Sequence, residues 1–399
     1  MISLRTILTD PALRLTAIAM LTFGGFAAAL APYQSLLGVR WFGFSDAAYS
    51  AIYAGGAALS LVCAVGVGIV TDRTGRRRNA ARLAAAAGLV GAVLVFLADA
   101  RWAYLITHLV LFPLSSTLFA QLFTLARLGA STHPPEARGG LQASIRAFFA
   151  IPFVALLPLL ALAFAAGLPL IYIYAICGVS AGITLAIFAF AWPADGATRW
   201  QDAGSGLSLR AALQELTAPS VLIRTFALAV VLAGIQLYMV LTGLILTGTE
   251  GRDTGDVALF FGIVAGLEIP FMLMLGGPLA RFGPARMIAG AAVLHAVFIA
   301  VFPLLGGTVG VWALPLVAAA GAAVILTVPM QYLQDLLGSR PGAGGSLIAL
   351  CNLGAQIIGA ALFALGTWVG DYSTVAWIGA PLVALAGLSL LWLDRRLVV

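Results

Sequence analysis

The sequence contains no lysine; arginine supplies all 21 of its basic residues. Charge of either sign is scarce, at 9% of 399 residues, against roughly a quarter in soluble domains. Each shortage excludes something. Without lysine there is no Walker A phosphate loop, whose lysine reaches the nucleotide phosphates. With so few charges, no water-facing surface covers a chain of this length. The three cysteines, Cys63, Cys177 and Cys351, fall in separate apolar runs without C-x-x-C spacing. They read as small buried hydrophobes, not as disulfides or metal ligands. The three histidines, His108, His133 and His295, are equally scattered. The sequence therefore suggests no metal, no cofactor and no enzyme constellation.

What is present is apolar: 62% of the residues are hydrophobic. That composition predicts an all-α integral membrane protein. A bilayer core about 30 Å thick takes about 20 helical residues to cross. Hydropathy places spans near 13–37, 47–70, 80–98, 102–128, 140–165 and 168–191. A more polar stretch, 192–218, follows, and spans resume near 219–247, 256–281, 285–305, 309–337, 342–368 and 373–393. The expected domains are thus an N-terminal six-helix bundle (1–191), a cytoplasmic linker (192–218) and a C-terminal six-helix bundle (219–399). Arginines cluster in one set of loops, including Arg73, Arg76, Arg77, Arg78, Arg281 and Arg286. Basic loops stay cytoplasmic, which puts both termini and the linker inside. The same bias explains the net charge of +6 without nucleic acid.

The two halves share landmarks. "GIVTDRTGRRR" (68–78) joins the second and third spans, and "GGPLARFGPAR" (276–286) joins the eighth and ninth. The offset of 208 that carries Arg73 onto Arg281 also carries Gly75 onto Gly283 and Arg127 onto Asp335. This is the mark of a duplicated six-helix half. Such repeats build transporters with a solute site between the halves near the midplane.

Few polar residues lie deep within spans. Glu268, in "GLEIPFM" (266–272), is the only acid or base between Asp256 and Arg281. It is about 12 residues, or about 18 Å, from either end of its expected span. An acid there costs about 2.5–3.5 kcal/mol on insertion scales, and less when protonated. It can carry a proton, accept two hydrogen bonds from solute hydroxyls, or pair with a neighbouring helix. Arg146 either snorkels, pairs or faces a cavity. Gln236 and Tyr238 lie in span seven, Gln331 and Tyr332 in span ten, and Asn352 and Gln356 share one face of span eleven. Interhelical hydrogen bonding is the plain alternative for these amides. Tyr33, Gln34 and Gln121 are weaker candidates, and His108 stays open.

Gly68-x-x-x-Asp72-Arg73-x-Gly75-Arg76-Arg77 resembles the loop motif of the major facilitator superfamily at every key position. The second copy departs from it, with Ala280 where the acid would be. "AQLFTLAR" (120–127), "LEIPFM" (267–272) and "LQDLLGSRPGAGGSL" (333–347) resemble stretches of the bacterial sugar efflux transporters. The resemblance implies the major facilitator fold, twelve transmembrane helices in two six-helix pseudo-repeats. It implies a gate built on Gly68, Asp72, Arg73, Gly75, Arg127 and Asp335. It puts spans one, two, four, five, seven, eight, ten and eleven around the cavity. That favours Asn352, Gln356 and Gln236 as solute ligands, beside Glu268, Arg146, Gln331 and Tyr238, and makes His295 structural. The implied activity is export of sugars or related polyhydroxylated solutes by alternating access, with Glu268 coupling to protons as in an antiporter. Drug efflux and sugar uptake are the alternatives. The implied partners are a small-molecule solute, protons and the lipid bilayer; the implied state is a monomer in a bacterial cytoplasmic membrane.

Overall fold

In lipid every backbone polar group must be satisfied within the chain, which leaves helices as the economical way across for so apolar a sequence. The computed structural model describes residues 2–194, 197, 198, 200, 219–336 and 341–395. Side chains are described for these except at 2, 3, 72, 136, 330, 334–336, 341–349 and 395. Most of the expected linker, 201–218, lies outside the described residues.

Among the described residues, twelve helices are long and apolar enough to cross a membrane. Spans one to six are Pro11–Trp41, Asp46–Thr71, Arg77–Ala98, Arg101–Ser131, Ala137–Ala165 and Tyr172–Ala191. Spans seven to twelve are Pro219–Thr247, Thr254–Met274, Pro284–Leu305, Val309–Leu333, Leu350–Val369 and Tyr372–Asp394. Span one starts where Asp10 accepts hydrogen bonds from the Ala12 and Leu13 amides. Span eight starts on a capping box between Asp253 and Asp256.

Of the boundaries that differ from hydropathy, two have a clear local reason. Span six starts at Tyr172 rather than 168, because Gly167 takes φ +89° and Pro169 follows. Span eight ends at Met274, and a separate short helix, Gly276–Phe282, follows. Pro278 lacks the N–H that would bond the Met274 carbonyl, and two glycines precede it.

The duplication holds at the level of whole elements. Spans one and two begin at Pro11 and Asp46; the offset of 208 gives Pro219 and Thr254, where spans seven and eight begin. Gly75 and Gly283 both end their helical segments with positive φ, +65° and +75°. Nothing crowds either glycine, so the left-handed turn itself is what calls for it.

The described residues group into two compact units. One holds Met1–Tyr33 and Gly55–Gly206. Its core stacks Leu13, Met20, Leu118, Leu122, Leu125, Leu141 and Ile145. Arg78 donates to the Phe188 and Ala189 carbonyls, and Arg82 to Ala189. These arginines therefore satisfy the last carbonyls of span six as well as marking a basic loop. His108 Nε2 pairs with the Tyr174 hydroxyl at 2.8 Å in a buried contact of spans four and six.

The other unit holds Gln34–Ala54 and Leu207–Val399. The end of span one, the following loop and the start of span two thus pack with the later helices. Arg224, 4% exposed, anchors three spans of this unit. Its guanidinium meets Asp394 Oδ1 at 3.2 Å and donates to the Leu393 and Ser220 carbonyls, while Tyr332 donates to the same carboxylate oxygen at 2.7 Å.

Candidate functional site

One face of span eleven carries two of the candidate polar residues of the second unit. Asn352, Gln356, Gly359 and Phe363 fall at helical spacing on that face. Asn352 is exposed and Gln356 half-buried. Gly359 lets span eleven lie against span seven: a methyl group there would stand 3.1 Å from Gln236 Cβ. The Gln236 amide oxygen accepts a hydrogen bond from the Tyr53 hydroxyl at 2.5 Å. Three spans therefore meet at Gln236. Tyr53 lies in no motif and is not flanked by charge, so sequence reasoning passed over it. Its spacing from Asp46 and Tyr49 was the available signal, because all three share one face of span two.

Tyr238 is two residues from Gln236 and points the other way, as helical rotation requires. Its ring packs on Phe261 and Phe298, with centroids 4.8 and 5.4 Å apart, and on His295 at 6.1 Å. The Tyr238 hydroxyl is buried without a hydrogen-bond partner among the described residues. Glu268 is within electrostatic range of that hydroxyl. Glu268 is half-buried, with no hydrogen bond or ion pair among the described residues; because span eight ends at Met274, it lies 14 residues from the start of that span and 6 from its end, not midway as hydropathy placed it. Pro270 leaves the Gly266 carbonyl without its helical donor, one turn before. His295 is fully buried, and the Gly234 backbone lies beside its ring outside good hydrogen-bond geometry. The structure thus separates two polar groups that the sequence lists together: Gln236 with span eleven and Tyr53, and Tyr238 with Glu268 and His295.

Gln331 is exposed on span ten and joins neither group by a described hydrogen bond. Arg146, in the first unit, is exposed, with its guanidinium carbon 5.9 Å from the centroid of the Phe123 ring. Phe123 in turn packs on Phe119, which joins Phe149 and Phe23 in one ring cluster. Gln121 Oε1 is buried without a partner among the described residues, and the Tyr33 ring packs on Phe164.

Of the gate residues, Gly68 lies within the helix of span two, and Arg73, at its end, is exposed. Gly75 makes the turn that follows. Arg127 is exposed on span four. The side chains of Asp72 and Asp335 lie outside the described residues, as does Arg340. Arg77, which reads from sequence as part of a topogenic cluster, is buried and donates to Thr71 Oγ1 at 3.4 Å. Among the described residues, no three His, Cys, Asp or Glu side chains converge as metal ligands would.

No protein-family model matches the sequence. Two curated proteins named as sugar efflux transporters do. One, from Deinococcus radiodurans, is 27% identical over 397 residues, covering 93% of this chain and 95% of that protein. Sugar efflux transporter A of Dickeya chrysanthemi is 26% identical over 328 residues, covering 80% of each. Among solved structures, the nucleoside transporter NupG superposes with a TM-score of 0.75 at 15% identity, over 97% of this chain and 100% of NupG. A D-xylose-proton symporter superposes with a TM-score of 0.70 at 17% identity, over 94% and 95%. Loop motif, duplicated twelve-span fold and relatives agree: the chain has the fold of the solved nucleoside and sugar transporters and is similar along most of its length to proteins named as sugar efflux transporters.

Proposed function

We propose that the chain exports sugars or related polyhydroxylated solutes across a bacterial cytoplasmic membrane, with both termini inside. The observation that carries this reading is Gln236, an amide deep in span seven whose oxygen already holds a hydroxyl group. Gln356 and Asn352 extend the same polar line along span eleven. Amides both donate and accept, so a row of them matches vicinal hydroxyls. Relatives named as sugar efflux transporters support the solute class and the direction.

Transport proceeds by rocking of the two six-helix halves, 1–191 and 219–399, around the solute. Asp72, Arg73, Gly75 and Arg127, with Asp335 in the second half, gate the cytoplasmic side. Glu268 couples the movement to protons. It is half-buried and has no ion pair among the described residues, so a proton can reside on it without breaking one, and it lies within electrostatic range of the Tyr238 phenol. The counterpart of Glu268 at the repeat offset is Ser60, so the acid belongs to one half only.

The test is flux of radiolabelled sugars in proteoliposomes holding a pH gradient. Saturable sugar flux that rises with a counter-directed proton gradient is expected. Absence of flux for every sugar would overturn the reading. A second reading, efflux of amphipathic drugs, draws on one observation: the phenylalanine cluster of the first unit beside Arg146. It predicts that lipophilic cations or dyes are carried and that sugars do not compete with them.

A further inference from the structure

The hydroxyl that Gln236 holds belongs to the chain itself, and Tyr53 brings a length of chain with it. Residues Gln34–Ala54 pack with the later helices. The hydrogen bonds that fasten this segment include the following. Ser35 Oγ donates to the Val240 carbonyl at 2.9 Å, Tyr53 to Gln236, and Tyr372 to Asp46 Oδ1 at 3.0 Å. Between the last two runs a ladder of rings. Tyr53 stacks on Tyr49 with centroids 6.1 Å apart, Tyr49 meets Phe363 edge-on at 5.8 Å, and Phe363 stacks on Tyr372 at 5.9 Å. Asp46, Tyr49 and Tyr53 share one face of span two, so one rotation of that helix moves all three together. The Tyr53 rung is the one that ends on a residue of the solute site.

We propose that Tyr53 is a surrogate solute. Its hydroxyl occupies Gln236 in place of a solute hydroxyl, and a polyhydroxylated solute displaces it. Displacement removes the innermost fastening of residues 34–54, which loosens them from spans seven, eleven and twelve. This rests on the reading of Gln236 as a hydroxyl ligand and adds the link between occupancy and opening. The energetics allow the exchange. One phenol contributes one hydrogen bond, whereas a sugar bonding Gln236 has several hydroxyls and, under this proposal, extends along span eleven to Gln356, about one turn from Gly359. Reciprocity follows: whatever opens the segment raises solute affinity, and solute raises the open population by the same factor. A merely structural Tyr53–Gln236 bond would hold the helices together without competing with solute.

The experiment uses the full chain with Tyr53→Phe, which keeps the ring and its stack on Tyr49 but removes the hydroxyl. Binding of D-xylose, D-glucose and sucrose is measured in detergent for wild type, Tyr53→Phe, Gln236→Ala and the double variant. Spin labels at Ala47→Cys and Val369→Cys, both exposed sites of the second unit, report opening in a Cys63→Ala background; Cys177 and Cys351 are buried. Tyr53→Phe should tighten sugar binding about 2- to 10-fold, the net worth of one hydrogen bond. It should also lengthen the label distance without sugar, as sugar does in wild type. In the Gln236→Ala background Tyr53→Phe should change affinity no further. Sugar bound by wild type with unchanged or weaker affinity in Tyr53→Phe would overturn the surrogate role and leave the transport reading standing. Sugar bound by neither protein would overturn both, and the label distances would then show whether Tyr53 still fastens the segment as a purely structural bond.

Discussion

Arg224 and Asp394 form an ion pair at 3.2 Å in which the cation is almost wholly buried and the carboxylate is a third exposed. The pair ties the start of span seven to the end of span twelve, and Tyr332 adds span ten through the same oxygen. Removing one partner leaves a buried charge without its counterion, which costs about 3 kcal/mol. Asp394→Ala should lower the thermal midpoint in detergent by several degrees. Asp394→Asn keeps an acceptor for Arg224 Nε and the Tyr332 hydroxyl and should cost less than half as much. Equal losses in both variants would show that charge, not acceptor geometry, dominates.

Tyr238 separates stability from transport. Its hydroxyl is buried and without a described partner, so its removal gives up no hydrogen bond of the described fold. Tyr238→Phe should leave the unfolding midpoint unchanged or raise it slightly. Sugar flux should fall at least severalfold, because a buried hydroxyl within electrostatic range of Glu268 is then missing. A variant with full flux would remove Tyr238 from the solute and proton sites alike.

Glu268→Gln tests proton coupling. The amide keeps the shape and the hydrogen-bonding capacity but cannot take up or release a proton. Sugar exchange at equal concentration on both sides should persist, and net flux driven by a pH gradient should be lost. Wild-type dependence on the pH gradient in this variant would end the coupling role.

Gly359 tests the packing that frames the site. A side chain there enters the space of Gln236, whose Cβ would be 3.1 Å from an added methyl. Gly359→Leu overpacks the contact of spans seven and eleven at a cost of about 1–3 kcal/mol. Sugar binding should be lost while the protein still inserts and unfolds cooperatively. Retained binding would mean that Gln236 turns aside and is not needed.

The fold was legible to a high degree. Span number, most span ends and the repeat follow from hydropathy and two loop motifs, because long unbroken apolar runs cross lipid as helices and each must run about the thickness of the bilayer. Two of the shifted ends were written in Gly167 with Pro169 and in Gly276 to Pro278, where glycine and proline override hydropathy. The candidate site was legible only as an inventory. Asn352, Gln356, Gln236, Tyr238 and Glu268 stand out because polar groups are expensive in apolar helices. Their partners do not stand out: Tyr53, Gly359 and the arginines that cap span six look like ordinary helix and loop residues.

The sequence by itself determined a twelve-span membrane protein with a duplicated half and one isolated acid. Those properties rest on composition and on spacing along the chain, which need no knowledge of neighbours. Tertiary structure decided which polar residues belong together. Gln236 and Tyr238 are two positions apart, yet helical rotation sends one to Tyr53 and span eleven and the other toward Glu268 and His295. Which helix stands opposite each face is set by packing between distant segments, and local spacing carries no record of it.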